Sequence, residues 1–355
     1  MGGNALSVTT SRLPKVSYDL VKDSILGKLK IAFPTLKSMD IQAYAEKPDF
    51  GDLDILIEGG PGYDPFQAAA AIGATEVVLN GDATSVGVAI EGGVFQVDLI
   101  KITPESFDFA SKYFAMNDLG NLLGRVAQKA GFKLGHRGLL YVLRDEKNTS
   151  QVIAELVVTY DWNEALKFIG YNPEVYAQGF NTLKDIFEFT VTSPYANKDI
   201  YLLENVNAVS RIRDRKRKTY TEFLGWLKTD AAADMPRFDW SNKEDACKSF
   251  LQKALDSFPT FKASHQTAIE AWKNSQIISS KFNIRSKFND AIISEKTGLS
   301  GKDIGEFICE VKGRFLDENS FKSWILLSEP EEINALIVGI YGELKNRENS
   351  EYQKI

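Results

Sequence analysis

The spacing of apolar residues divides the chain into a first part rich in strands and a longer part rich in helices. Apolar residues recur at helical spacing over residues 17–33, which predicts the first helix. After Pro34 apolar and polar residues alternate, which is typical of strands with one buried face. Turn-forming residues separate these runs, and an alanine-rich stretch at 65–73 predicts a short helix between them. The predicted strands are 41–45, 52–58, 75–80, 84–91 and 94–101.

The remainder of the chain is predicted to be mostly helical. Helical spacing dominates residues 104–235, except for two apolar runs at 139–143 and 154–159 that could pair as a small hairpin. From residue 236 onward only helical patterns occur. The stretch DMPRFDWSN at 234–242 is the predicted linker between these parts.

The length and composition are those of an ordinary folded protein with more than one domain. The 355 residues are 44% hydrophobic and 25% charged, which excludes a disordered or fibrous chain and allows two or three separate cores. The fold class predicted from the patterns is α+β. The predicted domains are a mixed-sheet domain covered by helices at 1–103, a mostly helical domain at 104–235 and an all-helical tail at 236–355.

Charge, cysteine and apolar content narrow the possible locations and partners. A net charge of −6 argues against nonspecific nucleic-acid binding by the whole surface, although basic residues can still cluster locally. Two cysteines and two histidines are too few for a convincing zinc site or disulfide framework, so a reducing cytoplasm is the simplest location. The N-terminal sequence lacks the apolar core of a signal peptide, and no run of about 18 apolar residues occurs. We therefore expect neither export nor a membrane span.

Three aspartates interrupt two of the predicted strands. Residues i and i+2 of a strand point the same way, so Asp52 and Asp54 share one face, about 6–7 Å apart, while Leu53 and Ile55 take the other. Asp98 lies within the apolar strand VFQVDLIK, where an ionised carboxylate needs a partner. Three carboxylates on neighbouring strands suit Mg²⁺, which prefers oxygen ligands and keeps waters for substrate phosphates. The alternative for the first two acids alone is a turn-facing pair solvated by water.

This pattern resembles the DNA polymerase beta superfamily of nucleotidyltransferases over roughly residues 16–101. That superfamily carries Gly-Asp-x-Asp on one strand and a third Asp on a later strand, after a helix and two further strands. The matching residues here are Gly51, Asp52, Asp54 and Asp98. The resemblance implies a palm-type catalytic domain whose first two acids bind two Mg²⁺ ions, with Mn²⁺ as a possible substitute. It also implies that the third acid binds the catalytic metal and acts on the attacking hydroxyl.

One element of the superfamily pattern is absent. The family usually has a Gly-Ser pair about ten residues before the first Asp, and its backbone N–H groups hold triphosphate oxygens. Here the position is Gln42-Ala43. The resemblance therefore leaves phosphate anchoring open, and it allows an activity that is weak or altered.

The segment after the predicted sheet resembles the nucleotide-contacting region of family X DNA polymerases. That family carries a Tyr-Phe-Thr-Gly turn, followed by an Asn eight residues and an Arg twelve residues after the Tyr. This chain has Tyr113, Phe114, Asn121 and Arg125 at those spacings, with Ala-Met in place of Thr-Gly. The aromatic pair could pack against a nucleotide sugar and base, and the polar pair could reach a base edge or primer end. The alternative is that the aromatic residues belong to the apolar side of a helix cluster. Residues 159–180 resemble a thumb-like subdomain in layout.

A basic run and a glycine-flanked turn are the candidate nucleic-acid contacts. Residues 211–218 read RIRDRKRK, which on a helix indicates either phosphate contact or a solvated face paired with acids elsewhere. The stretch 280–308 resembles the tail of tRNA nucleotidyltransferases, where a Gly-apolar-x-Gly turn grips RNA backbone; a plain capped helix-turn-helix is the alternative. Ser300 is the predicted N-cap of the second helix, with Asp303 at N3. The candidate cations are Arg211, Arg213, Arg215, Lys216, Arg217, Lys218 and Lys302.

Together the resemblances imply a Mg²⁺-dependent enzyme that transfers a nucleoside monophosphate from a nucleoside triphosphate to the 3′-hydroxyl of a nucleic acid. Such enzymes are widespread in bacteriophage genomes, and this chain looks similar to those. We expect an RNA or tRNA 3′ end as the acceptor, because the tail is the part most naturally tied to an acceptor. The alternatives are a gap-filling DNA polymerase, transfer to a protein or small molecule, and an inactive nucleic-acid-binding protein. The sequence indicates no obligate protein partner, and we expect a cytoplasmic location, in the host if the protein is phage-encoded.

Overall fold

The structure, a computed structural model, divides into two compact units between His265 and Gln266. It describes residues 5–60 and 62–352, so the first four residues of the predicted domain 1–103 and the last three of the predicted tail lie outside the described residues. The fold is α+β, with a mixed sheet near the N-terminus and a helical C-terminal part, as predicted. None of the described helices combines the length and the apolar character needed to cross a bilayer.

A five-stranded mixed sheet forms the N-terminal part of the first unit. The strands are β1 (Leu13–Pro14), β2 (Ser38–Asp40), β3 (Asp49–Phe50), β4 (Asp52–Glu58), β5 (Ala74–Asn80), β6 (Ala83–Ile90) and β7 (Gly93–Ile102), of which β1 and β3 pair separately. The order in the sheet is β2-β4-β7-β6-β5. β4 and β7 run parallel, whereas the other neighbours are antiparallel. A parallel pair needs a crossover connection, and one helix with two strands supplies it here.

Two helices cover one face of this sheet. They are α1 (Lys15–Ala32) and α2 (Pro65–Ile72). Ile25 and Leu29 of α1 belong to the same buried cluster as Leu53, Ile55 and Ile57 of β4. Because side chains alternate along a strand, this packing leaves the two acids of β4 on the opposite face.

The predicted strand at 41–45 is wrong. β2 ends before this segment, and the segment itself has no regular secondary structure. The backbone N–H groups of Ala45 and Glu46 donate to the carbonyls of Phe180 and Asn181, at 2.9 Å each. The N–H of Ile41 still donates to the carbonyl of Asp54 on β4 at 3.2 Å, but beyond Ile41 the segment leaves the sheet and is held by contacts distant in sequence, which local alternation cannot reveal.

The rest of the first unit is mostly helical. The predicted hairpin at 139–143 and 154–159 is present, and a further strand not predicted from the sequence pairs with its first strand. The strands are β8 (Phe132–Gly135), β9 (Gly138–Arg144) and β10 (Val152–Thr159). The helices are α3 (Phe107–Phe114), α4 (Leu119–Lys129), α5 (Trp162–Phe168), α6 (Pro173–Ala177), α7 (Leu183–Thr190), α8 (Ala208–Arg215), α9 (Lys218–Trp226) and α10 (Lys243–Ser257), with 3₁₀ turns at Pro104–Ser106, Lys198–Tyr201, Leu203–Asn205 and Asp230–Ala232.

This helical part has a hydrophobic core distinct from that of the sheet. The core begins at Phe109 in α3 and includes Phe250 and Ala254 of α10 and Phe261 of α11 (Pro259–Lys287). A smaller buried cluster of Leu56, Ile102, Phe107 and Ala110 joins the two sides of the predicted boundary at 103/104. The second predicted boundary, at 235/236, does not separate two cores. Residues before and after it belong to the same core, even though the predicted linker is irregular. The division into three domains stays a prediction.

The second unit consists of helices in its described part. α11 crosses the division between the units and is followed by α12 (Asp290–Thr297), α13 (Lys302–Lys312), α14 (Glu318–Leu327) and α15 (Pro330–Tyr352). Ile293, Phe307, Val311, Ile325 and Ile337 are fully or nearly fully buried in its core. The all-helical character predicted for the end of the chain is confirmed for these residues.

Candidate metal centre

Three carboxylates meet where β4 and β7 lie side by side. In the parallel register Asp54 is directly opposite Asp98, and Asp52 is opposite Gln96. Residues opposite one another on neighbouring strands point to the same face of the sheet. One carboxylate oxygen from each of the three acids lies within 4.8 Å of the others. The two-residue period of β4 and the register with β7 together bring all three acids to one point.

Asp98 is held in place by buried hydrogen-bond partners. The side-chain Nε2 of Gln96 donates to both carboxylate oxygens of Asp98, at 2.9 and 3.0 Å. The backbone N–H of Ala5 donates to Oε1 of the same Gln96 at 2.9 Å, which fixes the orientation of the amide. The buried Ser85 lies opposite Asp98 on β6. These contacts limit the rotation of Asp98 and aim it at the other two acids.

Burial and mutual repulsion make two of the acids poor at releasing protons. Burial raises the pKa of Asp54 well above its ordinary 3.8, and the charges of Asp52 and Asp98 raise it further, while Lys47 opposes the shift. Burial also raises the pKa of Asp98, the charge of Asp52 adds to the effect, and the hydrogen bonds to its carboxylate oppose it. Converging carboxylates of this kind are stable in the ionised form only beside a cation.

The donor set fits a hard divalent cation. Oxygens bound to one octahedral Mg²⁺ ion are about 3–4 Å apart, because each Mg–O bond is about 2.1 Å, so oxygens within 4.8 Å of one another need only small movements. No lysine or arginine nitrogen within residues 5–60 and 62–352 forms an ion pair within 4.0 Å with Asp54 or Asp98. Carboxylates without neutralising partners at that distance leave the charge available to metal ions.

A cleft of about 580 Å³ opens beside two of the acids. Asp52 and Asp54 line it, whereas Asp98 joins the cluster of acids from β7 without lining the cleft. The volume is within the range of pockets that enclose small ligands. The cleft also collects residues from the helical part of the unit. The lining residues predicted from the sequence are Gly51, Asp52, Asp54, Tyr113, Phe114, Asn121, Arg217 and Lys218.

The turn after α3 connects the aromatic pair to the opposite wall of the cleft. Tyr113 and Phe114 end α3 and are half-buried, with their rings 5.3 Å apart and edge to face. The N–H of Met116 donates to the backbone carbonyl of Gln42 at 2.7 Å. Met116 and Asn117 have φ angles of 59° and 57°, in the left-handed region. Glycine adopts this conformation at least cost, so the backbone at Met116 has the form that a Gly at this position would favour.

Arg125 lies in a buried ion pair and does not line the cleft. Its side chain is 4% exposed and pairs with the fully buried Asp214 of α8. Asn121, one turn earlier on α4, donates to Asp214 at 3.4 Å and accepts from Arg213 at 2.7 Å. Asn121 therefore borders the cleft, while Arg125 joins α4 to α8.

The basic run 211–218 does not form the single helix predicted. α8 ends at Arg215 and α9 begins at Lys218, with a break at the two residues between them. At this break Arg217 pairs with Asp118, which precedes α4. The local charge pattern could not predict the break, because Asp118, the partner of Arg217, is distant in sequence.

Four of the six cations in this run have partners elsewhere in the protein, and one of the four is Lys218, which pairs with Glu222 of α9. Arg211 donates to the backbone carbonyls of Leu203 and Val206, at 2.9 and 3.0 Å. Arg213 contacts Asp214 at 3.1 Å in addition to its contact with α4. Together with Arg217, these residues hold the break and its surroundings in place. The cations of the run that are exposed are Arg213, Arg215, Lys216 and Lys218.

In the second unit, the turn between α12 and α13 differs from the predicted capping pattern. Gly301, with a φ of 56°, is the N-cap of α13, and no side chain caps this helix. The prediction of Ser300 as N-cap with Asp303 at N3 is therefore wrong by one residue. Lys302 is 89% exposed in its side chain, and its Nζ lies 3.4 Å from a carboxylate oxygen of Glu306.

Sequence reasoning missed three residues around the site. Gln96 had a readable signal, because it stands two residues before Asp98 and so shares its face of the strand. Asp214 also had one, since a single acid inside a basic run often marks an internal pair. Lys47 had none, because it lies in an irregular segment that only tertiary packing brings to the cleft.

Comparisons with known proteins do not place the chain in a family. No protein-family model matches it, and no curated protein is significantly similar to it. Conclusions about function therefore rest on the residues and the geometry of the site.

The substitution Asp54→Asn should stabilise the metal-free protein at neutral pH. The pKa of Asp54 is raised in the folded state above the ordinary value of 3.8. Protonation of Asp54 therefore stabilises the folded protein fully below pH 3.8, and this stabilisation is lost as the pH rises through the raised pKa. Calorimetry of the metal-free wild type should show a falling Tm over that range, and the variant should show a smaller fall. Millimolar Mg²⁺ should raise the wild-type Tm and leave that of the variant unchanged.

The matched control for that experiment is Asp23→Asn, which removes a carboxylate that is 73% exposed on α1. It should respond to pH and Mg²⁺ as the wild type does. An Asp54→Asn protein with an undiminished response to Mg²⁺ would show that the acids do not bind the ion.

Breaking the buried pair of Arg125 and Asp214 should strongly destabilise the first unit. We expect Arg125→Met or Asp214→Leu to cost about 3–5 kcal/mol in urea unfolding, because each leaves an uncompensated buried charge. The double variant should lose less than the sum of the single losses. Arg215→Met, on the exposed side of the same helix, is the control and should stay within about 0.5 kcal/mol of the wild type. Single variants as stable as this control would rule out the pair as a structural element.

Proposed function

We propose that the protein is a Mg²⁺-dependent nucleotidyltransferase that transfers a nucleoside monophosphate from a nucleoside triphosphate to the 3′-hydroxyl of a nucleic acid. The observation that carries this proposal is the convergence of Asp52, Asp54 and Asp98 within 4.8 Å, beside a cleft of about 580 Å³. The order of elements between the acidic strands, one helix and two strands, is the order that the resemblance to the DNA polymerase beta superfamily requires. We infer that the sheet is the palm of such an enzyme.

The proposed reaction uses each carboxylate in a distinct way. Asp52 and Asp54 would hold both ions, and Asp98 would hold the catalytic one. When bound, Mg²⁺ lowers the pKa of the acceptor hydroxyl and neutralises charge on the departing pyrophosphate. The proton of the attacking 3′-hydroxyl would pass to a carboxylate oxygen of Asp98. A bond then forms from the 3′-oxygen to the α-phosphorus as the bond from that phosphorus to pyrophosphate breaks.

The cleft offers contacts for each part of a nucleoside triphosphate. Gln42, Ala43 and Tyr44 line it, and their backbone N–H groups donate no hydrogen bond to any residue that the structure describes. Free N–H groups at the position of the family Gly-Ser pair support phosphate binding there despite the change of residues. Tyr113 and Phe114 line the same cleft and are suited to packing against a sugar and base.

Cations at the edge of the cleft support a nucleic-acid acceptor. Arg217 and Lys218 line the cleft together with the acids of β4, so the basic run borders the proposed site of reaction. Arg215 and Lys216 are exposed next to them and can meet the phosphates of a strand. We favour an RNA 3′ end, because the turn before α13 resembles that of tRNA nucleotidyltransferases. A gap-filling DNA polymerase is the second candidate, favoured by the left-handed turn at Met116 after the Tyr-Phe pair.

An incorporation assay tests the proposal. Each labelled NTP and dNTP is incubated with Mg²⁺ and with tRNA, gapped duplex DNA or the protein alone. We expect label at an RNA 3′ end with release of pyrophosphate. Asp98→Asn should lower the rate by about 10³-fold or more, because it removes a metal ligand and the proton acceptor. Asp23→Asn is the control with the same chemical change on an exposed face, and it should keep the wild-type rate.

The acceptor that becomes labelled separates the alternatives. Label on gapped duplex alone would select the DNA polymerase, and label on the protein would select protein modification. If no acceptor is labelled with Mg²⁺ or Mn²⁺, or if Asp98→Asn retains the wild-type rate, the protein is not an enzyme of this kind.

A further inference from the structure

Lys47 lies on a cleft-lining segment that the rest of the first unit holds in place. The segment joins β2 to β3, and the backbone N–H groups of Ala45 and Glu46 donate to the carbonyls of Phe180 and Asn181 at 2.9 Å each. The backbone at Lys47 is therefore anchored on its N-terminal side by the helical part of the unit. Its side chain can move while its point of attachment stays fixed beside the acids.

Lys47 differs from the other basic residues that line the cleft. Each of the others has a carboxylate partner, whereas the ammonium of Lys47 has no carboxylate oxygen within 4.0 Å among the residues described. It lies instead 4.5 Å from the centre of the Phe50 ring. The paired residues are Arg12 with Asp49, Arg217 with Asp118, and Lys218 with Glu222. Lys47 is thus a half-buried cation in the cleft that is not committed to an ion pair.

The charge of Lys47 nevertheless acts on the metal centre. Burial lowers the pKa of Lys47, and the charges of Asp52 and Asp54 are the largest effects that oppose this shift. Lys47 in turn favours the ionised form of Asp54. One ammonium cannot neutralise three carboxylates, so the centre keeps an excess of negative charge. A divalent cation entering the centre would meet the acids and also repel the ammonium beside them.

We propose that Lys47 has two partners in turn, an inference that rests on the proposed function. Without metal its ammonium is the counter-ion of Asp52 and Asp54, and with metal bound it turns to the terminal phosphates of the nucleoside triphosphate. The four-carbon side chain and three rotatable donors of lysine suit such an exchange better than the rigid guanidinium of arginine does. The exchange keeps the centre partly neutralised before metal binds and adds a phosphate contact afterwards.

The exchange predicts effects of opposite sign in one variant. Lys47→Met keeps the apolar stem and removes the charge. Mn²⁺ binding to the nucleotide-free protein, measured by electron paramagnetic resonance, should become tighter by about threefold to tenfold, because a competing cation is gone. The second measurement is the ratio of the dissociation constants of the nucleoside monophosphate and of an α,β-methylene nucleoside triphosphate, obtained by calorimetry with Mn²⁺. This ratio, the triphosphate preference, should fall by about tenfold or more, because the triphosphate loses a phosphate contact.

Three further variants control for charge, folding and position. Lys47→Arg keeps the charge and should stay within about threefold of the wild type for Mn²⁺ binding. Lys47→Gln should reproduce both effects of Lys47→Met, so a folding defect specific to methionine cannot imitate them, and thermal melting checks each variant. Lys248→Met removes a lysine that is 67% exposed, is paired with Glu244 and does not line the cleft, and it should change neither quantity.

The possible outcomes separate this inference from the proposed function. Tighter Mn²⁺ binding with an unchanged triphosphate preference would make Lys47 a counter-ion only and overturn the exchange. A lost preference with unchanged or weaker Mn²⁺ binding would also overturn it. Wild-type protein that binds neither Mn²⁺ nor the triphosphate would overturn the proposed function itself. Wild-type protein that binds both, with the two opposite effects in Lys47→Met, would support the exchange even if the incorporation assay found no acceptor.

Discussion

The parallel pairing of β4 with β7 is the constraint on which the rest of the site depends. In this register Asp54 faces Asp98, and the other side of β4 packs Leu53 and Ile55 into the core beneath α1 and α2. A slip of one residue would turn these apolar side chains to the cleft and carry the acids into the core, so the hydrophobic core fixes the position of the charges. The repulsion among the acids is then a consequence of the fold. It has to be offset locally, by hydrogen bonds to Asp98 and by cations.

The helical part of the first unit completes the cleft through backbone contacts with the sheet. The turn at Met116 binds the carbonyl of Gln42, and the loop at Phe180 binds the segment that carries Lys47. Two walls are thus connected at the points where the base and the phosphates would lie in the proposed complex. Because these contacts are made by the backbone, side chains at the same positions can vary while the geometry is kept. The same geometry is therefore compatible with Gln-Ala at 42–43 and with Ala-Met at 115–116.

The sequence predicted the parts of the fold that depend on local periodicity. Alternation identified the strand at 52–58 and placed its acids on one face, and an Asp within the apolar run at 94–101 indicated a partner for them. The parallel register that brings the acids together could not be read from either strand, because it depends on the crossover between them. The segment at 41–45 was predicted wrongly for a related reason. Its alternation was real, but beyond Ile41 its backbone bonds to Met116 and Phe180, both far away in sequence, and not to a neighbouring strand.

The basic run shows why clustered cations overstate nucleic-acid contact when they are read from sequence alone. Asp214 is fully buried and attracts Arg125 from another helix, and Arg211 binds backbone carbonyls. These contacts use part of the charge to join α8 to its surroundings. Of the exposed cations Lys218 lines the cleft beside the acids, and in the proposed enzyme Arg215 and Lys216 would attract an acceptor strand while the bare acids would repel it. In the proposed enzyme, metal binding removes that repulsion, which couples acceptor placement to the loading of the centre through charge alone.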